Sequence, residues 1–361
     1  MVGGLSRRDH LLFVYAKIRK MKIQHYLFLT LLLVLFFGTN YFIYTSSFEV
    51  SGDRNEANVV DTIQPKEIAK EYPSVLNFGD VMFDRGVRNI MENRGRDPFE
   101  YIKKDLDVLK KFDIIVANLE GPIVEMDRSK CQSKAYNFQF ASTAPELLKS
   151  VGINMVNIAN NHTQDCFSAG YESTKKFLKE SRIDYVGEKE LEKSYVLGMI
   201  DNKKVAFVGV DQTISPTLSS NFYSLITKLD LENDYVIVNI HWGTEYELQT
   251  TSAQVVIAHN LIDSGADVIF GHHPHVVEPI EVYKGKVVFY SLGNFVFDQD
   301  FGETTVGLGA GVEFRDEKSF FTIFPFNIKL FAPEFMKDEE RDIFCQKFLV
   351  GLSRTDCSFE I

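Results

Sequence analysis

The sequence contains little cysteine, and none of it is spaced as a zinc-binding pair. Its four cysteines are Cys131, Cys166, Cys345 and Cys357. None forms a CxxC pair, so the spacing argues against a structural zinc knot. An oxidising compartment would permit disulfides, and Cys345 with Cys357 is the pair closest in sequence. Free or buried thiols are the alternative.

Several signatures of nucleotide and acyl-transfer chemistry are also missing. No P-loop or GxGxxG stands between an apolar strand-like run and a helix-like segment. No GxSxG elbow is present, and although Ser291 follows a predicted strand, no spacing favours a Ser–His–Asp arrangement. There is no internal repeat and no low-complexity tract. The sequence therefore favours neither nucleotide binding nor serine-hydrolase chemistry.

The chain lacks an excess of basic residues. It carries 50 Asp and Glu against 39 Lys and Arg, a net charge of −11 over its 361 residues. Its first 24 residues hold six basic residues and one acid, so the remaining residues carry about −16. Such a region is a poor phosphate binder, and no nucleic-acid partner is expected. It would also repel a polyanion, except where a metal or a local basic patch intervenes.

Only one apolar run is long enough to cross a bilayer. YLFLTLLLVLFFGTNYFIY spans Tyr26 to Tyr44, carries no charge and follows a basic flank. The flank predicts a cytoplasmic segment at 1–24, a transmembrane signal-anchor helix at 25–44 and a stalk at 45–72. The expected protein is single-pass in the cell membrane, with its C-terminal domain extracytoplasmic. A signal peptide cleaved after a start at Met21 is the alternative, but no small-x-small site follows the run.

From Pro73 onward the pattern is strand, loop and helix, repeated. Short apolar runs such as SVLNF, DIIVANL, YVIVNI and DVIFG predict buried strands, and segments such as YESTKKFLKESR predict helices between them. The alternation indicates an α/β fold with helices covering a largely parallel or mixed sheet. Residues 73–302 are predicted to form the main domain, and 303–361 a β-rich extension that packs on it.

Polar side chains follow nearly every predicted strand, where open α/β sheets bind ligands. Each has an ordinary structural explanation when taken alone, such as a helix cap or a turn. Together, carboxylates, an amide and imidazoles form an oxygen and nitrogen donor set that suits Zn, Mn or Fe. No cysteine belongs to the set, which favours a catalytic metal of one or two ions. The polar residues at these strand ends include Asp80, Asn118, Glu120, Asn161, His162, Asp165, His241, Glu245, His272, His273, His275 and Asn294.

The motifs at these positions resemble one family. NFGDVMFDRGV, VANLEGPI, NMVNIANNHTQD, NIHWGTEYE and GADVIFGHHPHVVEPIEVYKGKVVFYSLGNFVFDQ occur in the order found in the capsule synthesis protein CapA family. That family is named for poly-γ-glutamate capsule production and is related to calcineurin-like metallophosphoesterases. The resemblance covers roughly residues 73–300. It implies a layered α-β-β-α sandwich.

The resemblance also implies which residues hold the metal. The ligands would be Asp80, Glu120, Asn161, His241, His273 and His275, with His162 near the scissile group. His272 falls where the family tolerates other residues, so it is expected to flank the site. The phosphoesterase motif D-x-H is interrupted here, because Met82 stands two residues after Asp80. One metal position therefore has a poorer ligand set than in the phosphatases.

The expected protein is an extracytoplasmic metal-dependent hydrolase or transferase in the biosynthesis, attachment or export of capsule polymer. His162 would act as general acid or oxyanion stabiliser, with Asp165 and Glu245 orienting neighbouring groups. Substrate contacts are predicted for Arg85, Asn118, Trp242 and Asn294, although Arg85 could be a surface residue and Trp242 could fill the core. Expected partners are poly-γ-glutamate or another anionic envelope polymer, other capsule synthesis membrane proteins, and the membrane itself. The alternatives are a non-catalytic polymer-binding component and a phosphoesterase.

Overall fold

A computed structural model describes residues 72–315, 318–352 and 354–361. The predicted basic segment, transmembrane helix and nearly all of the stalk lie outside these residues. Within the described ranges, no helix combines the length and the apolar character that a membrane span requires.

The first sheet has ten strands and mixes parallel with antiparallel pairs. Four strands run parallel to their neighbours: β1 (Ser74–Val81), β2 (Ile114–Leu119), β3 (Met155–Asn157) and β4 (Asp184–Val186). The antiparallel part contains β12 (Val306–Arg315), β13 (Lys318–Lys329), β14 (Ala332–Phe335), β15 (Arg354–Thr355) and β16 (Ser358–Glu360). The two parts meet where β12 pairs antiparallel with β1, and the short β11 (Asn294–Val296) pairs parallel with β1. The residues predicted as a C-terminal extension thus build half of this sheet.

The second sheet has six strands in the order β5-β6-β7-β8-β10-β9. They are β5 (Tyr195–Ile200), β6 (Lys203–Asp211), β7 (Tyr235–His241), β8 (Val268–His272), β9 (Ile280–Tyr283) and β10 (Lys286–Phe289). The four central strands are parallel, and the two edge strands pair antiparallel.

Helices cover the outer face of each sheet. The first sheet is covered by α1 (Arg85–Arg94), α2 (Leu106–Leu109), α3 (Ala144–Lys149) and α4 (Phe167–Glu180), and the second by α5 (Ser220–Glu232) and α6 (Ser252–Asp263). The last helix, α7 (Asp338–Phe348), contributes Phe344 and Cys345 to the core between the sheets. Short 3₁₀ turns occupy Ile102–Asp105, Arg128–Lys130, Leu191–Lys193 and Gly302–Thr305. A capping box between Thr251 and Gln254 fixes the start of α6.

The layers follow from the two-residue period of the strands. In β6, Val205 and Phe207 face the other sheet, whereas Ala206 and Val208 face α5 and α6. The two sheets therefore enclose one apolar core, with a further core under each layer of helices. The result is the predicted α-β-β-α sandwich.

All four cysteines are paired. Cys345 joins Cys357, the pair closest in sequence, and Cys131 joins Cys166. The second bridge connects the loop after the 3₁₀ turn Arg128–Lys130 to the residue before α4.

Candidate metal centre

The predicted metal ligands converge at the carboxyl ends of strands from both sheets. In the first sheet, Asp80 of β1 lies in register with Asn118 of β2. In the second, His241 of β7 lies in register with His272 of β8. Because the sheets face each other, these strand ends meet at one edge of the sandwich.

Six ligands predicted from the sequence lie within reach of one another. His275 Nδ1 is 3.2 Å from Asp80 Oδ2, and His275 Nε2 is 3.6 Å from Glu120 Oε1. His241 Nε2 lies 3.0 Å from Asn161 Oδ1. Ligand atoms of Asp80, Glu120 and His241 all lie within 4.8 Å of one another, and the rings of His241 and His273 are 4.8 Å apart between centroids. The predicted ligands therefore form two neighbouring groups, one of Asp80, Glu120 and His241 and one in which Glu245 joins His273 and His275.

Unsatisfied polar atoms show that the group of predicted ligands and neighbouring side chains, called the cluster below, fits a cation. Glu120 Oε1, His273 Nδ1 and both ring nitrogens of His272 are buried and have no hydrogen-bond partner in the described part of the chain. Buried polar atoms of this kind are rare in folded proteins unless an ion or water engages them. Two buried carboxylates, Asp80 and Glu120, also need positive charge nearby. A divalent ion bound by carboxylates, imidazoles and the Asn161 amide would meet both requirements.

The protonation states of the cluster follow from burial and from its two acids. Burial, reinforced by the charge of Asp80, raises the pKa of Glu120 well above its usual range. Burial lowers the pKa of His241 well below its usual range, and it lowers the pKa of His272 and His273 to about 4. These three imidazoles are thus neutral at neutral pH, which is the form that binds metal.

Asn118 orients the ligands and does not face a substrate. It is fully buried, and its amide nitrogen donates to Asp80 Oδ1 over 2.8 Å and lies 3.3 Å from His241 Nδ1. Its carbonyl oxygen accepts from the side chains of Asn157 and Asn160 over 3.0 and 3.2 Å. All of its hydrogen-bonding capacity is used within the cluster, so the predicted substrate contact does not fit its position.

Two more predicted substrate contacts have other roles. Trp242 is fully buried, stacks on Tyr290 and donates from its indole nitrogen to the Tyr290 carbonyl oxygen over 2.8 Å. It fills the core beneath α5 and α6 and does not line a pocket. Asn294 is also buried, with Oδ1 2.9 Å from His275 Nδ1. That contact fixes the His275 ring and leaves Nε2 directed at Glu120.

His162 and Asp165 form a buried pair beside the ligands. His162 Nδ1 lies 2.8 Å from Asp165 Oδ2, and His162 Nε2 lies 3.9 Å from Glu120 Oε1. Asp165 is held in turn by the Phe138 backbone nitrogen at 2.7 Å and by Lys134 Nζ at 2.5 Å. The Phe138 ring stacks on the imidazole, and burial lowers the pKa of His162. The pair therefore presents Nε2 of a neutral imidazole to the cluster.

A pocket of about 320 Å³ opens over this pair and includes His162, Glu245 and His275 in its lining. Arg85 stands at its rim, donating to Asp298 Oδ2 over 3.0 Å, with about one third of its side chain exposed. A second depression of about 510 Å³ shares Arg85 and is also lined by Arg128 and Lys134. Arg85 is thus the one predicted substrate contact that the structure places at the pocket.

Sequence reasoning did not identify Lys134, Phe138 or Asn160 as parts of the site. Lys134 and Phe138 lie in an irregular loop with no motif of its own. Asn160 stands beside Asn161 in a quoted motif, so its position already carried a signal. One sequence feature could have pointed to the loop of Lys134 and Phe138. Cys166 is adjacent to Asp165, and its disulfide with Cys131 holds that loop next to Asp165.

The backbone of the histidine turn is strained. His273 and His275 have φ angles of 99° and 59°, in a region that non-glycine residues seldom occupy. Gly271 precedes this turn, and a Cβ atom there would lie 1.9 Å from the Tyr290 carbonyl oxygen. Strain of this kind persists where the surrounding structure enforces it, commonly at functional sites.

Comparison with known proteins agrees with these motifs. The family model described as bacterial capsule synthesis protein PGA_cap matches residues 74–299. The chain is 31% identical over 324 residues to the PGA biosynthesis protein CapA of Bacillus subtilis strain 168, covering 84% of this chain and 83% of that protein. It is 31% identical over 293 residues to the capsule biosynthesis protein CapA of Bacillus anthracis, covering 74% of this chain and 71% of that protein.

A solved structure of purple acid phosphatase PPD1 from yellow lupin seeds also shows a weak likeness. Its TM-score is 0.38 at 12% identity, covering 76% of this chain and 55% of that one. That likeness is too weak to carry a conclusion. The family match and the Bacillus relatives confirm the resemblance drawn from the motifs, and the chain belongs to the bacterial capsule synthesis protein PGA_cap family.

Proposed function

We propose that this protein is a metal-dependent hydrolase or transferase that acts on an anionic capsule polymer of the poly-γ-glutamate type. The observation that carries the proposal is the placement of the His162–Asp165 pair. His162 lines a pocket together with Arg85, and its Nε2 lies 3.9 Å from Glu120 Oε1, while Asp165 holds its Nδ1. The proton-transfer group His162, the proposed metal ligand His275 and the guanidinium of Arg85 thus line one pocket.

The cation would be held by Asp80, Glu120, Asn161, His241, His273 and His275, which fit one or two ions of Mn, Zn or Fe. When bound, such an ion supplies Lewis-acid activation of a carbonyl or phosphoryl group.

Proton transfer is assigned to His162. Asp165 accepts a hydrogen bond from Nδ1, which fixes the tautomer and leaves the lone pair of Nε2 on the side of Glu120. Lys134 and the Phe138 backbone nitrogen hold the Asp165 carboxylate, so the imidazole cannot rotate away without breaking several contacts. Nε2 can accept a proton from a nucleophile and return it to a leaving group. Glu245, at the open side of the pocket and near His273 and His275, would orient neighbouring groups.

An anionic substrate is supported by the basic residues of the depression beside the pocket. The chain beyond residue 24 carries about −16, which would repel a polyanion in general. Arg85, Arg128 and Lys134 nevertheless line the depression beside the pocket. Each is held by a carboxylate, and the partly exposed guanidinium of Arg85 keeps donors available for a substrate carboxylate.

We further propose that the protein is anchored in the cell membrane by residues 25–44, with the domain outside the cytoplasm. The apolar run and its basic flank support this, and so do two disulfides, which form in oxidising compartments. There it would meet the polymer and other membrane proteins of capsule synthesis. The Bacillus relatives are named as capsule and PGA biosynthesis proteins, which agrees with this setting.

The test uses the full chain with Mn²⁺, poly-γ-glutamate of defined length and, separately, p-nitrophenyl phosphate. Polymer length is followed by size-exclusion chromatography and new ends by amine labelling. His162→Ala should lower turnover by about 10²–10⁴-fold. The control is His259→Ala, because His259 pairs with Glu281 outside the pocket and should leave turnover unchanged.

Each other outcome replaces part of the proposal. Equal turnover by the His162→Ala variant would overturn the role of His162. Turnover of the aryl phosphate without polymer cleavage would make the protein a phosphoesterase. Polymer binding without turnover of either compound would leave a non-catalytic polymer-binding component.

A further inference from the structure

His272 is fully buried and is the least satisfied imidazole among the histidines around Asp80 and Glu120. None of its surface is exposed, and neither ring nitrogen has a hydrogen-bond partner in the part of the chain that the structure describes. Three other buried histidines differ, since His162, His241 and His275 each have a partner for at least one ring nitrogen. His273 is also buried, but only its Nδ1 is among the buried atoms without a partner. Leaving two polar atoms of one side chain unsatisfied in a core is costly.

The position of the ring suggests what satisfies it. His272 Nδ1 lies 3.6 Å from Asp80 Oδ1, on the opposite carboxylate oxygen from His275, which approaches Oδ2 at 3.2 Å. A distance of 3.6 Å is too long for a hydrogen bond. It is within the limit of about 4.2 Å for two ligands of one ion, the sum of typical metal–nitrogen and metal–oxygen bond lengths.

No histidine follows Asp80 two residues later, where the phosphoesterase motif D-x-H has one. Met82 stands two residues further on, but its sulfur accepts from the Asp84 backbone nitrogen at 3.0 Å. Its thioether is therefore engaged elsewhere, and a soft sulfur suits Zn, Mn or Fe less well than an imidazole does. β8 ends at His272, next to His241 in register, and so brings a nitrogen donor from the second sheet to Asp80.

We propose that His272 is a ligand of the cation bound at Asp80, and that it supplies the imidazole that the strand of Asp80 does not. This inference rests on the proposed metal centre but not on the reaction. The site would then draw His272 from the last position of β8, and His273 and His275 from the turn that follows it.

The decisive variant is His272→Leu in the full chain, with Mn²⁺ alone as the probe. A ligand role predicts opposite effects in two measurements. Mn²⁺ affinity by calorimetry should fall at least about 10–100-fold, the cost known for groups that only support a ligand. The melting temperature of the metal-free protein should stay equal or rise, because Leu removes two unsatisfied polar atoms. A third readout is pulsed electron paramagnetic resonance of bound Mn²⁺, in which the ¹⁴N signal of coordinated imidazole should weaken.

Two controls keep the outcomes distinct. His259→Leu removes an imidazole that pairs with Glu281 away from the cluster, and Mn²⁺ affinity should not change. His272→Gln keeps a polar donor of similar length if the Leu variant does not fold, and its Mn²⁺ affinity should also fall.

The results separate this inference from the proposed metal centre. If the unaltered chain binds neither Mn²⁺ nor, in a parallel titration, Zn²⁺ or Fe²⁺, the metal centre itself is wrong. If the unaltered chain binds Mn²⁺ and the His272 variants bind it equally well with an unchanged ¹⁴N signal, only the ligand role of His272 is overturned. Destabilisation of the metal-free Leu variant with unchanged affinity would make His272 a packing residue.

Discussion

Glu278 should make the folded protein less stable above pH 7 than at pH 4.5, because its carboxyl group must then ionise in the core. Its side chain is about 1% exposed, although it lies only three residues beyond His275. One carboxylate oxygen accepts from Gln254 Nε2 over 2.7 Å, and the other has no partner among the residues that the structure describes. Burial raises the pKa of Glu278 from 4.5 to about 7.

The sign and size of the effect follow from proton linkage. Because the folded state holds the proton more tightly than the unfolded state, Glu278 costs no stability below pH 4.5. The cost grows as the pH rises from 4.5 towards 7 and is constant above that. At 1.36 kcal/mol for each pKa unit, it reaches about 3 kcal/mol. Glu278→Gln cannot ionise, and its carbonyl oxygen can still accept from Gln254.

We therefore expect Glu278→Gln to be up to about 3 kcal/mol more stable than the parent chain at pH 8, and nearly equal to it at pH 4.5. Urea unfolding in the presence of EDTA, with disulfides intact, measures the difference. Trp242 is the single tryptophan and is fully buried, so its fluorescence reports unfolding of the second sheet. The exposed Glu247→Gln variant is the control. A Glu278→Gln advantage that is the same at both pH values would refute the reasoning.

Two further predictions test the site and its backbone. Asn118→Leu should weaken Mn²⁺ binding about 10–100-fold in calorimetry, because Asp80 and His241 lose the amide that orients them; unchanged affinity would show that the ligands are held without it. Gly271→Ala should lower the melting temperature by several degrees or prevent folding, because the new Cβ would lie 1.9 Å from the Tyr290 carbonyl oxygen. A Gly271→Ala variant with the melting temperature of the parent chain would show that β8 can shift to accommodate the new Cβ atom without loss of stability.

The strand ends of the site were predictable because their signal is local. Short apolar runs that lead directly or within two residues to Asp80, Glu120 and His241 identify both the strand and the polar residue at its end. The role of Trp242 was also predictable in principle. Adjacent residues of a strand face opposite sides, so a His241 that enters the cleft between the sheets directs Trp242 to the helices. The structure shows that arrangement.

Other features depend on pairings between distant segments. The sequence contains no local mark that β12 pairs with β1, and so completes the first sheet from the C-terminal residues. Nor does the sequence show that the side chains of Asn157 and Asn160 both donate to the Asn118 side-chain oxygen. Because of these bonds, Asn118 supports the metal ligands and is not the substrate contact that was predicted.

The histidine turn shows the same division. Sequence alone established that three imidazoles follow a buried strand, that a metal-type donor set stands at neighbouring strand ends, and to which family the motifs point. Tertiary structure decided which atoms meet. It brought the second sheet against the first, so that His272 reaches one oxygen of Asp80 and His275 the other. Side-chain period is a property of a strand by itself, whereas the distance between ligands on different strands is set only when the two sheets pack together.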